Sequence, residues 1–187
     1  MVLVSGATGK TGRHIVASLI ERGHAVRALA HSERSRHALE VTGVQDVVMA
    51  DMLDPSALLR AMDGMHAVVH IGPAMHQKET VMGENMIDAA RAAGVSRFVY
   101  SSVAHPQIEG LLNHQAKLPV ERYLIESRLS YTILQPMRYM QNVSVPEVVE
   151  KGVFTLPYSL DVQMSFVDLA DVGGCLESAF RERTRTG

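Results

Sequence analysis

The residues best placed to do chemistry stand at the very start of the chain, where residues 2–13 read VLVSGATGKTGR. Gly9-Lys10-Thr11 fits two different nucleotide loops. A P-loop for a nucleoside triphosphate needs a glycine five positions before the one in Gly-Lys-Thr, because a wide nest of backbone N–H groups must wrap the phosphates. That position is Val4, inside the apolar run Val2-Leu3-Val4, so the chain is still strand where the loop must already have begun. Gly6, Gly9 and Gly12 instead suit a strand–turn–helix that holds a dinucleotide. In such a turn the first glycine allows the bend, the second lets the backbone approach the pyrophosphate, and the third packs helix on strand. The helix start, with Thr8, Lys10 and Thr11 around it, offers N–H groups and a partial positive charge to the phosphates. The spacing is G-x-x-G-x-x-G, not the commoner G-x-G-x-x-G, and a glycine turn with no ligand is the plainer reading of three glycines alone.

Other chemistries are poorly supplied. His66, His70 and His76 flank or interrupt one strand and the loop after it, with no acidic partner at ligand-like spacing; they read as structural or surface histidines, and no metal is expected. Cys175 is the single cysteine, which excludes an intramolecular disulfide and a cysteine cluster for metal. With 18 basic and 20 acidic residues the net charge is −2 and no long run of one sign occurs, so the expected partners include neither nucleic acid nor an anionic membrane. Apolar stretches are strand-sized, short of the ~20 residues that span a bilayer. The sequence starts directly on strand-like residues without a signal core, so a reducing, cytoplasmic setting is the expectation.

The elements that must position the glycine turn alternate along the chain. After the first strand and helix, strands are predicted over residues 25–30, 46–50, 66–71, 96–101 and 130–134, and helices over 33–41, 55–62, 78–93 and 111–127. Strands alternating with helices predict an α/β fold, a doubly wound parallel sheet of Rossmann type in the order 3-2-1-4-5-6. The 187 residues allow one domain with a sizeable core, or one domain and part of another. The expected division is a dinucleotide-binding domain over residues 1–135 and a partial substrate-side segment over 136–187, packed on the same domain. In that segment 137–144 reads as irregular, 145–151 as a helical turn, 153–156 and 162–167 as short strands, 169–180 as a helix and 181–187 as a polar end.

Together, GATGKTG, AVRALA, NMIDAARAAGVSRFVYSSV, HQAKLPVERYL, SYTILQPMRYMQN and FVDLADV fall in the order found in, and resemble, the NmrA-like branch of the atypical short-chain dehydrogenase/reductases, over about residues 1–180. The resemblance implies a Rossmann domain that binds NADP(H) or NAD(H). It also implies either a reductase of quinones, dyes or plant phenolics, or a cofactor-sensing regulator with little catalysis. Three departures bear on that choice. Family members commonly carry arginine at the tip of the second strand, where this chain has His31. No carboxylate stands there to select NAD, and His31, Ser32, Arg34 and Lys10 could hold the extra phosphate of NADP, so NADP(H) is expected over NAD. Against this, Glu33 could repel that phosphate, and Ser32 could simply cap a helix beside solvated charges. Asp51, ending the third strand, resembles the acidic position that reads the adenine edge, or else only leads into a helix.

The second departure lies in the catalytic pair. Short-chain dehydrogenases use Tyr-x-x-x-Lys on one helix face, the lysine gripping the ribose and lowering the phenol's pKa while the tyrosine donates a proton as hydride arrives. Four residues before Lys117 stands Asn113, so the tyrosine is absent. The resemblance carries over to Lys117 and His114, with Ser101 and Ser102 ending the fifth strand beside the nicotinamide; the plain alternatives are an exposed lysine, a polar helix start and strand-end capping. Ile71-Gly72-Pro73 should pass under the nicotinamide half, and Gln135 should close the cofactor site. Pro136, Met137, Tyr139 and Met140 would wall a flat apolar substrate, or else pack under a further lobe. Third, relatives continue well past FVDLADV, so the substrate lobe is short and expected to be incomplete here. An open lid favours binding over catalysis. Two readings stand: an NADPH-dependent oxidoreductase acting on a small aromatic, quinone-like or conjugated carbonyl acceptor, and a non-catalytic NADP(H) sensor with a regulatory protein partner. A homodimer is suggested by the relatives alone.

Overall fold

A computed structural model of the chain describes residues 1–108, 110–155, 159, 161 and 163–180. Six parallel strands form one sheet in the order β3-β2-β1-β4-β5-β6: β1 Val2–Val4, β2 Val26–Ala30, β3 Asp46–Met49, β4 Ala67–Ile71, β5 Arg97–Ser101 and β6 Tyr131–Leu134. Side chains alternate across this sheet, and each face has its own core. Leu3, Val68, Phe98 and Tyr100 pack against Leu58, Met86, Val120 and Leu124, from helices α3 (Pro55–Ala61), α4 (Glu79–Ala92) and α6 (Lys117–Glu126). Val2, Val4, Val69 and Val99 pack on the other face against Ile15, Leu19, Leu39 and Val172, from α1 (Lys10–Glu21), α2 (Glu33–Glu40) and α8 (Leu169–Phe180). This is the doubly wound fold, with the sheet's order reversing between β1 and β4.

Local chemistry sets the element starts. Asp54 accepts from the N–H groups of Ser56 and Ala57 with Pro55 at the first helical position, so α3 begins there. Ser32 and Ser35 form a capping box that starts α2. One expected helix, over residues 111–127, is two: α5 (Leu112–Gln115) and α6, separated at Ala116. Pro119 is the reason, because it lacks an N–H and its ring collides with the carbonyl four residues back, at Gln115. Beyond the sheet the chain forms β7 (Arg138–Tyr139), a 3₁₀ turn (Met140–Asn142), α7 (Val145–Lys151) and β8 (Phe166–Val167), with β7 and β8 paired in parallel. The strand expected over 162–167 is thus confined to its last two residues, with Val162 outside the described residues. Residues 153–155 form no strand; Leu156 and the polar end 181–187 also lie outside the described residues. No helix among the described residues is long and apolar enough to cross a membrane.

Candidate functional site

The turn between β1 and α1 is built so that only glycine fits at two of its positions. Gly6 has φ +64°, and a Cβ there would stand 2.6 Å from the Ile71 carbonyl oxygen. At Gly12 a Cβ would stand 2.1 Å from the Gly6 carbonyl oxygen and 2.7 Å from Ala7 Cα, so helix and turn are in backbone contact. Helix α1 starts after Gly9 without a side-chain cap, which leaves its first N–H groups to solvent or a ligand.

Above this turn lies a cleft of about 370 Å³. Gly6, Thr8, Gly9, Lys10, Thr11, Gly12, His31, Ile71, Gly72 and Pro73, all singled out in the sequence, line it together. Leu29, Ala30, Ala50, Met52 and Ala74 complete the lining. They are apolar residues at strand ends and carry no chemical signature from which sequence reasoning could have picked them. Asp51 does not line the cleft: its carboxylate accepts from the Leu53 N–H at 2.9 Å, while its neighbours Ala50 and Met52 face in. Arg34 is exposed and outside the lining, and its side chain makes no hydrogen bond or ion pair among the described residues. Glu33 is drawn to Arg36, at 3.7 Å. Lys10 Nζ donates to the Gln141 carbonyl and to Asn142 Oδ1, each at 3.0 Å, so its ammonium is tied to the 3₁₀ turn. Gln141 in turn donates to Asp168 and accepts from the Leu169 N–H, joining the glycine turn to α8.

Behind the Gly72 wall sits a polar cluster that the sequence reading only half foresaw. Lys117 Nζ lies 2.6 Å from Glu79 Oε1, with both side chains less than a tenth exposed, and 3.5 Å from the Ser101 carbonyl. It stands 5.5 Å from the centre of the Tyr100 ring. Burial, with the charges of Glu79 and Glu121 adding to it, pushes the Tyr100 phenol well above its ordinary range, so it stays protonated. Ser102 is buried beside this cluster in sequence, its N–H donating to the Leu134 carbonyl at 2.8 Å. His114 is buried, its Nδ1–H donating to the His105 carbonyl at 2.9 Å. On the substrate side, Gln135 donates to both oxygens of Glu121. The Pro136 carbonyl accepts from the Ala104 N–H, and Met137 and Met140 are exposed. Tyr139 packs on the core of the sheet face that α1, α2 and α8 cover.

His70 faces Tyr100 across the β4–β5 pair, the rings stacked 5.6 Å apart, with Nδ1 2.8 Å from Ser5 Oγ. Burial first, then the charge of Lys117, lowers its pKa to about 3. The folded value lies below the unfolded one, so as pH falls the unfolded chain takes the proton first. The stability this histidine contributes is full above pH ~6.5 and drains as pH falls toward 3. For one such group the loss between pH 7 and pH 5 is about 2 kcal/mol. Urea unfolding at both pH values should show that loss in the wild type and a slope shallower by that amount in His70→Gln; parallel slopes would mean His70 is protonated in the folded state.

An open parallel sheet with a glycine turn at the point where strand order reverses is the Rossmann-type, doubly wound class of nucleotide-binding fold. Within that class the chain belongs to the NmrA-like family, which it matches over residues 1–186. It is similar to quinone oxidoreductase 2 of Escherichia coli (strain K12), 30% identical in an alignment of 158 positions that covers 82% of this chain and 55% of that protein. It is also similar to the photosystem II assembly factor Ycf39 of Cyanophora paradoxa, 27% identical in an alignment of 183 positions that covers 91% of this chain and 56% of that one. Among solved structures, an NADPH-dependent quinone oxidoreductase from Escherichia coli complexed with NADPH superposes with a TM-score of 0.81 at 28% identity, covering 100% of this chain and 66% of that one. The chain therefore spans about half the length of the curated relatives it matches.

Proposed function

We propose that this chain binds NADP(H) in the cleft over the glycine turn and serves as an NADPH-dependent oxidoreductase of quinone-like or conjugated carbonyl acceptors. The observation that carries the reading is the cleft, where a turn that admits no Cβ at Gly6 or Gly12 meets an uncapped helix start. Similarity to a quinone oxidoreductase solved with NADPH supports it. The lining contains no carboxylate at the tips of β2 and β3, which favours NADP(H) over NAD(H), with His31 and the neighbouring Arg34 as the groups for the additional phosphate. Lys10, held on Gln141 and Asn142, is left out of that set.

Bound there, the cofactor would supply a hydride, which with one proton would take a quinone to its hydroquinone. The residues that would hold it are Gly72 and Pro73 for the nicotinamide half, with Lys117 and Ser101 behind them for its ribose. Tyr100 is too deeply buried to reach an acceptor, and an easily reduced acceptor can take its proton from solvent. Similarity to an assembly factor favours a second reading, an NADP(H)-responsive protein acting through a protein partner. Fluorescence titration with NADPH and NADH, followed by a small quinone panel, separates the two. Expected are NADPH binding at least about tenfold tighter than NADH and consumption of NADPH with a quinone. NADPH that binds and is never consumed moves the case to the second reading, and a chain that binds neither dinucleotide rejects both.

A further inference from the structure

Glu79 opens α4 and is 1% exposed, yet nothing in the proposed chemistry uses it. Its place is built by helix spacing. Helices α4 and α6 touch where a Cβ on Gly83 would stand 2.7 Å from Val120 Cγ2. One turn back on each helix, on the same faces, lie Glu79 and Lys117. Thr80 next to Glu79 donates its hydroxyl to the carbonyl of Ala116, next to Lys117, at 3.3 Å, so the two helix starts are joined at adjacent residues. The carboxylate also lies under the cleft wall: a Cβ on Gly72 would stand 2.8 Å from Glu79 Oε1.

We propose that Glu79 is a positioning residue for the nicotinamide half of the dinucleotide, acting through Lys117; this rests on the reading of the cleft as an NADP(H) site. An ammonium on a four-carbon stem has no direction of its own. Paired with Glu79, it is fixed behind Gly72 at the end of β5, with Nζ 3.5 Å from the Ser101 carbonyl, where a further N–H would serve a ribose hydroxyl. The pair stands behind Gly72, which lines the cleft at the β4 end, while Leu29, Ala30, His31, Ala50 and Met52 form the end at β2 and β3. Its influence therefore falls on one half of the ligand and spares the adenosine half.

The test is calorimetric titration with NADPH and with adenosine 2′,5′-bisphosphate, which carries the adenosine half and lacks the nicotinamide ribose. Wild type is compared with Glu79→Gln, Lys117→Met and the two combined. Glu79→Gln is expected to weaken NADPH at least tenfold and the bisphosphate less than twofold. In the combined variant it should add nothing to the effect of Lys117→Met, as for two residues acting as a unit. Unchanged NADPH affinity in Glu79→Gln overturns the proposal; so do equal losses for both ligands, which a merely structural role would give, and additive losses. Should Glu79→Gln fail to fold, Glu79→Met/Lys117→Met removes both charges together and is expected to lose NADPH while keeping the bisphosphate. Wild-type NADPH affinity in that variant overturns the proposal. A wild type that binds neither ligand takes down the cleft reading and this inference with it, a result distinct from a wild type that binds NADPH but is indifferent to residue 79.

Discussion

Gly12→Ala should destabilise the chain by at least about 3 kcal/mol and weaken any dinucleotide binding more than a hundredfold. An added methyl group in a packed interior commonly costs about 1–3 kcal/mol, because neighbouring side chains can shift to admit it. Here the neighbours cannot shift in that way: the methyl would overlap the Gly6 carbonyl oxygen at 2.1 Å and Ala7 Cα at 2.7 Å, all backbone. Helix α1 would have to lift off the turn, which also withdraws its first N–H groups from the cleft. For a chain of this length the stability loss corresponds to a fall in Tm of roughly 6–12 °C. Gly9→Ala is the internal control. Its Cβ meets only the Gly6 carbonyl oxygen, at 3.2 Å, a contact relieved by a few tenths of an ångström. Its melting temperature should therefore stay near that of the wild type. Thermal melts of the three proteins with NADPH titration of each decide the matter, and a Gly12→Ala protein melting within 2 °C of wild type would refute the backbone-contact argument.

That glycine turn, and the sheet behind it, were legible because their signals are local and repeated. A three-residue apolar strand, three glycines and an amphipathic helix specify one unit. The alternation of such units, with right-handed crossovers, leaves the order β3-β2-β1-β4-β5-β6 as the natural one. The break at Ala116 was also written locally, in Pro119, but the apolar pattern of residues 111–127 runs straight through it and outweighed it. Past Leu134 the signal fades for a physical reason. β7 and β8 are two residues each and are held by pairing with one another across 26 intervening residues, between Tyr139 and Phe166, not by any period of their own.

The site shows the same division. Residues of the cleft that carry a chemical type, glycines and polar groups of the first turn, could be named in advance. At the tip of β3 side chains alternate: Ala50 and Met52 line the cleft and Asp51, between them, turns to its own backbone. Glu79 was invisible for another reason. Its partner lies 38 positions away on a different helix, and the contact of Gly83 with Val120 and the hydrogen bond from Thr80 to Ala116 bring the two starts together. Nothing in the sequence around a charged residue at a helix start separates it from a solvated first-turn glutamate.

Burial of that pair sets the last expectation, that Lys117→Met destabilises the chain by about 3–5 kcal/mol, whereas Glu79→Leu/Lys117→Met recovers most of the loss. An exposed pair would predict otherwise: Arg36 and Glu40, each about half exposed at 3.0 Å on α2, are worth roughly 0.3–0.5 kcal/mol. Glu79 and Lys117 have already lost their water, and removing one leaves the other as an uncompensated charge in the protein interior. The cost of Lys117→Met is therefore mostly the stranding of Glu79, so removing the carboxylate as well should restore stability even though the ion pair is gone. Urea unfolding of the three proteins measures this. A Lys117→Met cost below about 1 kcal/mol would mean that water reaches Glu79, and a double variant no better than the single would mean that the pair itself, rather than the stranded charge, holds α4 to α6. Should the double variant recover its stability without regaining NADPH affinity, the pair has been retained at this wall for what it does to a ligand and not for what it adds to the fold.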